Sequence, residues 1–377
     1  MPHATARRVL LLGHRWLGLA LGLVLALLGA SGAVLSFQRE IEAARHPALF
    51  RASGPADPAI GFAAVQRAAE AAGHQAGAIR PPDAAWPVWV VSPPRGARDA
   101  RSVTLDPASG AVLGTWDARS GPVAFARDLH ENLLLREQGG RQAVGWLGVL
   151  TLLFCGTGLW LWWPRRGGFG RALVTLRRRP ALLLNLDLHR LAGAWLAVVL
   201  AVVALSGVAI VFPGWFRPLL GIAEPAPPPR PAPGAARGIP AGGPDADAIA
   251  AAALAHRPGQ VVTGVSPPGR VGPAWTVTLR PAGSDPEVRG RTFLSLDPAS
   301  GAVLAERGPA TRSLAEDALA LQRWLHGGAL LGWPGRILVF LSGLAMPLLF
   351  ATGLAAWLLR RRNRQRTRLA ALPGEPA

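Results

Sequence analysis

The sequence predicts an α-helical membrane protein with four transmembrane helices in two tandem parallel repeats, each repeat carrying a small α+β domain on the outer side of the membrane. Three observations predict it. Half of the 377 residues are apolar, 16% are charged and the mean hydropathy is +0.27, the profile of an integral membrane protein. Four apolar runs, at 10–37, 145–163, 191–212 and 337–359, are each long enough to cross about 30 Å of hydrocarbon at about 1.5 Å per residue. Finally, several segments of the first half recur in the second half in the same order.

Charge sets the orientation. The formal net charge is +18, and all 40 basic residues are arginine. Sixteen of these lie in 1–15, 164–190 and 358–377, accompanied only by Asp187 and Glu375. Short basic segments beside apolar runs are the positive-inside signature. They argue for a membrane orientation, and a nucleic-acid partner is not expected. Residues 1–9, the 164–188 loop and the tail are thereby placed in the cytoplasm. The N- and C-termini are both inside, the four spans run out, in, out, in, and the large segments 38–140 and 213–334 fall outside. In a bacterial inner membrane that side is the periplasm. The first run resembles a signal peptide in its basic start and small residues. It is longer than a usual signal core, however, and its pattern returns in the third run.

The organisation reads as helix 1 (1–37), outer domain 1 (38–127), a His-bearing segment with helix 2 (128–163), a basic loop (164–188), helix 3 (189–212), a Pro-rich linker with outer domain 2 (213–322), a His-bearing segment with helix 4 (323–359), and a basic tail (360–377). Residues 14–37 align with 189–212 without a gap. The identities include His14/His189, Arg15/Arg190, Gly18/Gly193, Ser31/Ser206, Gly32/Gly207 and Phe37/Phe212. "LDPASGAVL" occurs at 105–113 and 296–304, "DLHENLLL" at 128–135 answers "WLHGGALL" at 324–331, and "GTGLWLWW" at 156–163 answers "ATGLAAWLL" at 351–359. Parallel repeats of this kind pack about an axis along the membrane normal. Each outer domain reads as a helix (57–72; 246–256) followed by four short strands (77–80, 88–92, 102–105, 111–115; 260–265, 275–279, 291–296, 302–305). Asp-Pro-Ala-Ser-Gly makes the last hairpin turn, in which Pro presets φ and Gly takes the positive φ. The stretch 224–244 is a Pro-rich extended linker.

Cys155 is the only cysteine. This excludes, within one chain, a disulfide framework, a Cys-based zinc site, an iron–sulfur cluster and covalent haem attachment. Of eight histidines, His3, His46, His74 and His256 sit in polar surroundings and are read as solvated. His14 and His189 open outward-going spans at the cytoplasmic edge, and His130 and His326 precede inward-going spans at the periplasmic edge. Each face thus receives one imidazole from each repeat. Two neutral imidazoles from opposite sides are what a flat macrocycle with low-spin iron requires, so the four histidines are read as iron ligands of two b-type haems. Gly18 and Gly193, one turn after His14 and His189, leave the helix surface bare for a ring. Arg15, Arg190, Arg141 and Arg336 lie at the same boundaries, where guanidinium groups neutralise propionates; Arg15 and Arg190 serve equally well as orientation signals. Zinc fits less well, since two imidazoles leave a tetrahedral site short. A lone interfacial histidine is usually only a hydrogen-bonding residue; the duplication argues for ligands.

These residues resemble a known family, the PepSY-associated transmembrane proteins, which include inner-membrane ferric-siderophore reductases and iron-regulated membrane proteins. The resemblance is carried by "HRWLGLALGLVLALLGASG", "LHRLAGAWLAVVLAVVALSG", both "LDPASGAVL" hairpins, the "LH" before spans two and four, and "WWPRR" at 162–166. It spans about 8–362. It implies PepSY-like outer domains and, for the reductases, two haems, with His14, His189, His130 and His326 as ligands. It also implies an oxidoreductase that passes electrons across the membrane to a periplasmic acceptor, a ferric siderophore, releasing ferrous iron. Some relatives carry an attached flavin or nucleotide module. The loop "RRGGFGRALVTLRRRP" lacks the strand–turn–helix context for one, so the electron donor is expected to be a separate cytoplasmic reductase or a membrane quinol. The rival expectation is a membrane-anchored periplasmic PepSY binding or regulatory protein, acting in peptidase inhibition or partner binding, with structural histidines. A third keeps the haems with another acceptor, such as copper, a quinone or a redox protein.

Overall fold

The computed structural model describes residues 2–54, 60–94, 96–97, 101–164, 167–223, 238–269, 272–284 and 290–370. The expected helix start at 57–59, most of the Pro-rich stretch 224–244, Arg165 and Arg166 of the basic loop, and the end of the tail lie outside these residues. The chain divides into a helical unit, built from residues up to Ser36, Ala126–Pro213 and Leu325 onward, and a sheet unit, Phe37–Phe125 with Gly214–Trp324.

In chain order the elements up to the first span pair are α1 (Pro2–Leu35), α2 (Gln38–Arg45), α3 (Phe62–Ala71), β1 (Ala78–Arg80), β2 (Trp89–Ser92), β3 (Ser102–Leu105), β4 (Val112–Trp116), α4 (Gly121–Asn132) and α5 (Gly140–Trp162). A short α6 (Phe169–Ala172) and α7 (Ala181–Val211) follow. Then come α8 (Pro213–Leu219), α9 (Ala246–His256), β5 (Gln260–Ser266), β6 (Trp275–Pro281), β7 (Thr292–Leu296), β8 (Val303–Arg307), α10 (Leu314–His326) and α11 (Gly332–Ala370).

Among the described residues four helices are long and apolar enough to cross a membrane: Thr5–Leu35, Gly140–Trp162, Ala181–Val211 and Ala329–Thr367. Each overlaps one of the expected runs and starts before it; the first three stop one or two residues short of the run's end, and the fourth continues past it. An unpaired backbone amide in hydrocarbon costs several kcal/mol, so the span stays helical throughout. Arginine is itself a good helix former, so the helix continues into the basic flanks. Within the unit α1 packs on α11 and α5, and α7 packs on α5 and α11. The helices α1 and α7 therefore stand diagonally across the bundle. The helices α1 and α11 come close at Gly29 and Gly343, where a Cβ on either would lie 2.6–2.7 Å from the other's carbonyl oxygen. This is small-residue packing, the means by which helices associate when lipid removes the hydrophobic drive.

In the sheet unit all eight strands form one antiparallel sheet, ordered β4-β3-β2-β1-β5-β6-β7-β8. The eight strands and both helices fall where the sequence expects them, except that α3 begins at Phe62. The expectation of two separate outer domains is modified: β1 and β5 pair through Ile79 and Val265, joining the two four-stranded halves. Edge strands with unpaired amides invite pairing, and this junction removes two of them. Helix α9 covers β5–β7 through Ile249, Ala253, Trp275, Val277 and Leu279. Helix α3 covers β1–β3 through Val65, Ala69, Ile79, Trp89 and Val91. The alternate residues Val88 and Val90 face Phe50 and Trp116 on the opposite side, as the two-residue period of a strand requires.

The repeated turn is closed by its aspartate. The Asp106 carboxylate accepts hydrogen bonds from the backbone of Ala108 and Ser109, the Ser109 hydroxyl and the Ser53 amide at 2.7–3.1 Å. Asp297 repeats the first three of these at 2.8–3.0 Å. Gly110 and Gly301 both sit at φ +74°, a region that an L side chain resists. Backbone amide donors hold the Asp106 carboxyl well below the usual range, and those of Ser300 and Ala299 lower Asp297. Because the folded value of Asp106 is depressed, its contribution is present above its ordinary value of 3.8 and is lost as pH falls toward the folded value. Replacement by alanine (D106A) is expected to lower stability by about 2–3 kcal/mol at neutral pH, with the loss shrinking in acid. Thermal unfolding of the full-length protein against pH measures both effects.

Candidate functional site

The four histidines singled out in the sequence come together as two couples. His14 on α1 faces His189 on α7 across the bundle diagonal, with ring centroids 6.3 Å apart and planes at 85°. His130 at the end of α4 faces His326 at the end of α10, with centroids 5.9 Å apart and planes at 50°. All four side chains are half-buried. The second couple reaches α1 at the level of Leu28–Gly32. The 14 residues between His14 and Leu28 therefore separate the couples by roughly 21 Å along that helix.

Each ring is held through the same atom. Nδ1 of His130 lies 2.9 Å from the Leu28 carbonyl and 3.5 Å from the Ser31 hydroxyl. Nδ1 of His326 lies 2.9 Å from the Val203 carbonyl and 3.3 Å from the Ser206 hydroxyl. Nδ1 of His189 lies 2.9 Å from the Leu349 carbonyl and 3.2 Å from Thr352 Oγ1. Nδ1 of His14 lies 2.9 Å from Thr157 Oγ1. A carbonyl only accepts, so in three cases Nδ1 carries the proton. The Thr157 hydroxyl already donates to Leu153 at 2.7 Å, so it too accepts from the ring. All four imidazoles are therefore fixed as the Nδ1–H tautomer, with the lone pair on Nε2. A second-sphere acceptor on one ring nitrogen is the usual support for a metal on the other.

The spacing suits one metal between two imidazoles. Two metal–nitrogen bonds of about 2.0–2.1 Å and two ring radii of about 1.1 Å put collinear centroids roughly 6.4 Å apart, close to both observed values. Among the described residues no group of three or more His, Cys, Asp or Glu could hold a metal ion; each couple brings two imidazoles together.

The chain makes room for the rings with glycine. A Cβ on Gly32 would lie 2.8 Å from His130 Cε1, and one on Gly207 would lie 3.0 Å from His326 Cε1. Gly158 and Gly353 stand beside His14 and His189 more loosely: a Cβ there would lie 3.4 and 3.5 Å from the ring, ordinary van der Waals contact. Gly18 and Gly193 are placed differently. They lie one turn from His14 and His189, where a Cβ would meet only Phe154 at 3.8 Å and Leu349 at 3.7 Å, so the packing of the chain does not itself demand glycine there. Beyond His130 the chain leaves the helix through Leu133 and Leu134 at φ +52° and +61°, and beyond His326 through Gly328 at +75°. For leucine that conformation costs roughly 1–2 kcal/mol per residue. The break lets each histidine end its helix instead of continuing it.

The arginines divide. Arg336 donates to the Ser36 carbonyl from Nε at 3.1 Å and from a terminal nitrogen at 2.7 Å, and Arg141 reaches the Ile210 carbonyl at 3.4 Å. Both thus serve the carbonyl ends of α1 and α7, which lack helical partners. Arg15 lies over the Trp16 ring at 5.0 Å, and Arg190 is exposed. Trp16, Trp146 and Trp195 are 54–62% exposed. Sequence reasoning missed the support residues Thr157, Thr352, Ser31, Ser206, Gly158 and Gly353. Their signal was present, because each sits at a matching place in the duplicated strings.

Gly32→Ala is expected to destabilise the apo protein by about 1–3 kcal/mol through overpacking on His130. Gly18→Ala is expected to be neutral or stabilising by up to about 1 kcal/mol from helix propensity. Thermal unfolding of the two variants distinguishes them.

Residues 11–360 match the family model described as PepSY-associated TM region. Comparison with curated proteins gives no match.

Proposed function

The chain belongs to the PepSY-associated TM family, and on that premise we propose that it is a transmembrane electron-transfer protein with two bis-histidine haem b sites, reducing a periplasmic ferric siderophore. The observation that carries this reading is the pair of histidine couples at two levels of the bundle, each ring anchored through Nδ1 at 2.9 Å. The chain is arranged as two tandem parallel repeats in the bacterial inner membrane, with both termini cytoplasmic and the sheet unit periplasmic. The matched positions of histidines, hydroxyls and glycines in the two halves support the repeat, and the clustered arginines support the orientation.

Haem held at each couple supplies one-electron redox chemistry. His14 with His189, and His130 with His326, are its ligands. The hydrogen bonds to Leu28, Val203, Leu349 and Thr157 place the proton of each neutral ring on Nδ1, leave the Nε2 lone pair for iron and fix each ring plane. Gly18 and Gly193 leave width on the His-bearing faces of α1 and α7, and the surrounding Leu, Val and Phe side chains exclude water. Arg15 and Arg190 would meet propionates at the inner end. Arg141 and Arg336 combine that role at the outer end with their hold on the helix termini. Electrons come from a cytoplasmic reductase or a membrane quinol. Ferric iron in a siderophore is held by hard oxygen ligands; gaining one electron gives ferrous iron, for which those ligands are weaker partners.

Purified membranes are expected to show a sharp reduced α band and two haems per chain. His14→Ala or His189→Ala removes one, and His130→Ala or His326→Ala removes the other. A colourless, folded protein overturns the reading in favour of a periplasmic binding or regulatory protein. Thr157→Val removes the acceptor for His14 and is expected to weaken haem retention at that couple by 10- to 100-fold, measured by transfer to apomyoglobin. Anaerobic reoxidation by a panel of ferric chelates tests the acceptor; indifference to all of them removes the siderophore.

A further inference from the structure

A cavity of about 920 Å³ opens at the end of the helical unit where α5 stops and α7 begins. Its walls include Arg7, Arg171, Arg177 and Arg190, with Trp162 and Trp163 beside them. The one carboxylate among the lining residues, Asp187, is 4% exposed and already committed. It accepts from Arg177 Nε at 2.8 Å, from a terminal nitrogen at 2.7 Å and from the Arg177 amide at 3.0 Å. Arg177 is thereby neutralised and made part of the wall. Among the described residues Arg7, Arg171 and Arg190 have no ion-pair partner, so the cavity keeps an excess of three positive charges. Arg7 is steadied by donating to the Leu161 carbonyl at 3.0 Å. Trp162, Trp163 and Phe169 pack on one another with centroids 5.3–6.3 Å apart, and Trp163 is 60% exposed. Tryptophan at a span end marks the depth of lipid headgroups.

We propose that this cavity binds the phosphate headgroup of an anionic phospholipid. Guanidinium forks match phosphate oxygens geometrically, and basic pockets at the cytoplasmic ends of spans suit anionic headgroups. At the depth set by the tryptophans the leaflet presents phosphate continuously, whereas a soluble phosphate must come from dilute solution. The site does not depend on haem, although it shares Arg190 with the reading above.

The test uses the full chain in mild detergent, stripped of lipid and titrated with phosphatidylglycerol or phosphatidylcholine under native mass spectrometry. Phosphatidylglycerol is expected to bind at least tenfold more tightly. The Arg7→Gln/Arg171→Gln variant is expected to lose about fivefold per arginine, while Arg361→Gln, on α11 outside the cavity, keeps wild-type affinity. Should the double variant not fold, Arg171→Gln alone and the wild-type preference decide. Equal binding of the two lipids, or no change in the variants, overturns the proposal. So does displacement by millimolar inorganic phosphate, which assigns the cavity to a soluble ligand. A fall in haem content with lipid binding intact assigns it to propionates, and overturns the lipid without touching the haem.

Discussion

An imidazole in an apolar helical bundle has two polar nitrogens and no water to satisfy them, and the helical unit is arranged around that constraint. In all four cases Nδ1 is 2.9 Å from an oxygen on a neighbouring helix. The carbonyls of Leu28, Val203 and Leu349 sit inside helices and use a second lone pair for the ring. The Ser and Thr hydroxyls donate to the carbonyl three or four residues back, which leaves their oxygens as acceptors. An unsatisfied buried polar group costs about 1–3 kcal/mol, so each contact fixes a ring, a tautomer and the spacing of two helices together.

The remaining features of the site follow from those ring positions. Gly32 and Gly207 stand where the edges of His130 and His326 meet the neighbouring helices, and a Cβ there would crowd the ring against its acceptor. The left-handed break after His130 and the glycine break after His326 end the helices where the rings must turn inward. Arg141 and Arg336 hold the C-terminal ends of α7 and α1, respectively, the same two helices that receive the rings of His326 and His130. Helix ends that frayed would release the acceptors, so these arginines stabilise the couples at a distance.

The sheet unit obeys a different physics. Its helices and strands bury Trp89 and Trp275 almost completely, and its hairpins are closed by aspartates whose acceptor oxygens are filled by backbone donors. Pairing of β1 with β5 joins two four-stranded halves into one sheet; a sheet of this size has fewer exposed edges per residue.

Most of the architecture was legible locally. Apolar run length gave the four spans, two-residue alternation gave the strands, Asp-Pro-Ala-Ser-Gly gave both turns, and duplication drew attention to the histidines among eight candidates. These are properties of neighbouring residues, and hydration and backbone geometry act on them directly. The tertiary structure alone decided which atoms meet: that Thr157 rather than a carbonyl receives His14, that Gly32 rather than Gly18 lies under an imidazole, that Arg336 reaches Ser36, and that β1 finds β5. Each of these joins residues separated by some 100 to 300 positions, and their distances depend on how helices and strands pack, a quantity to which no single segment of the chain is sensitive.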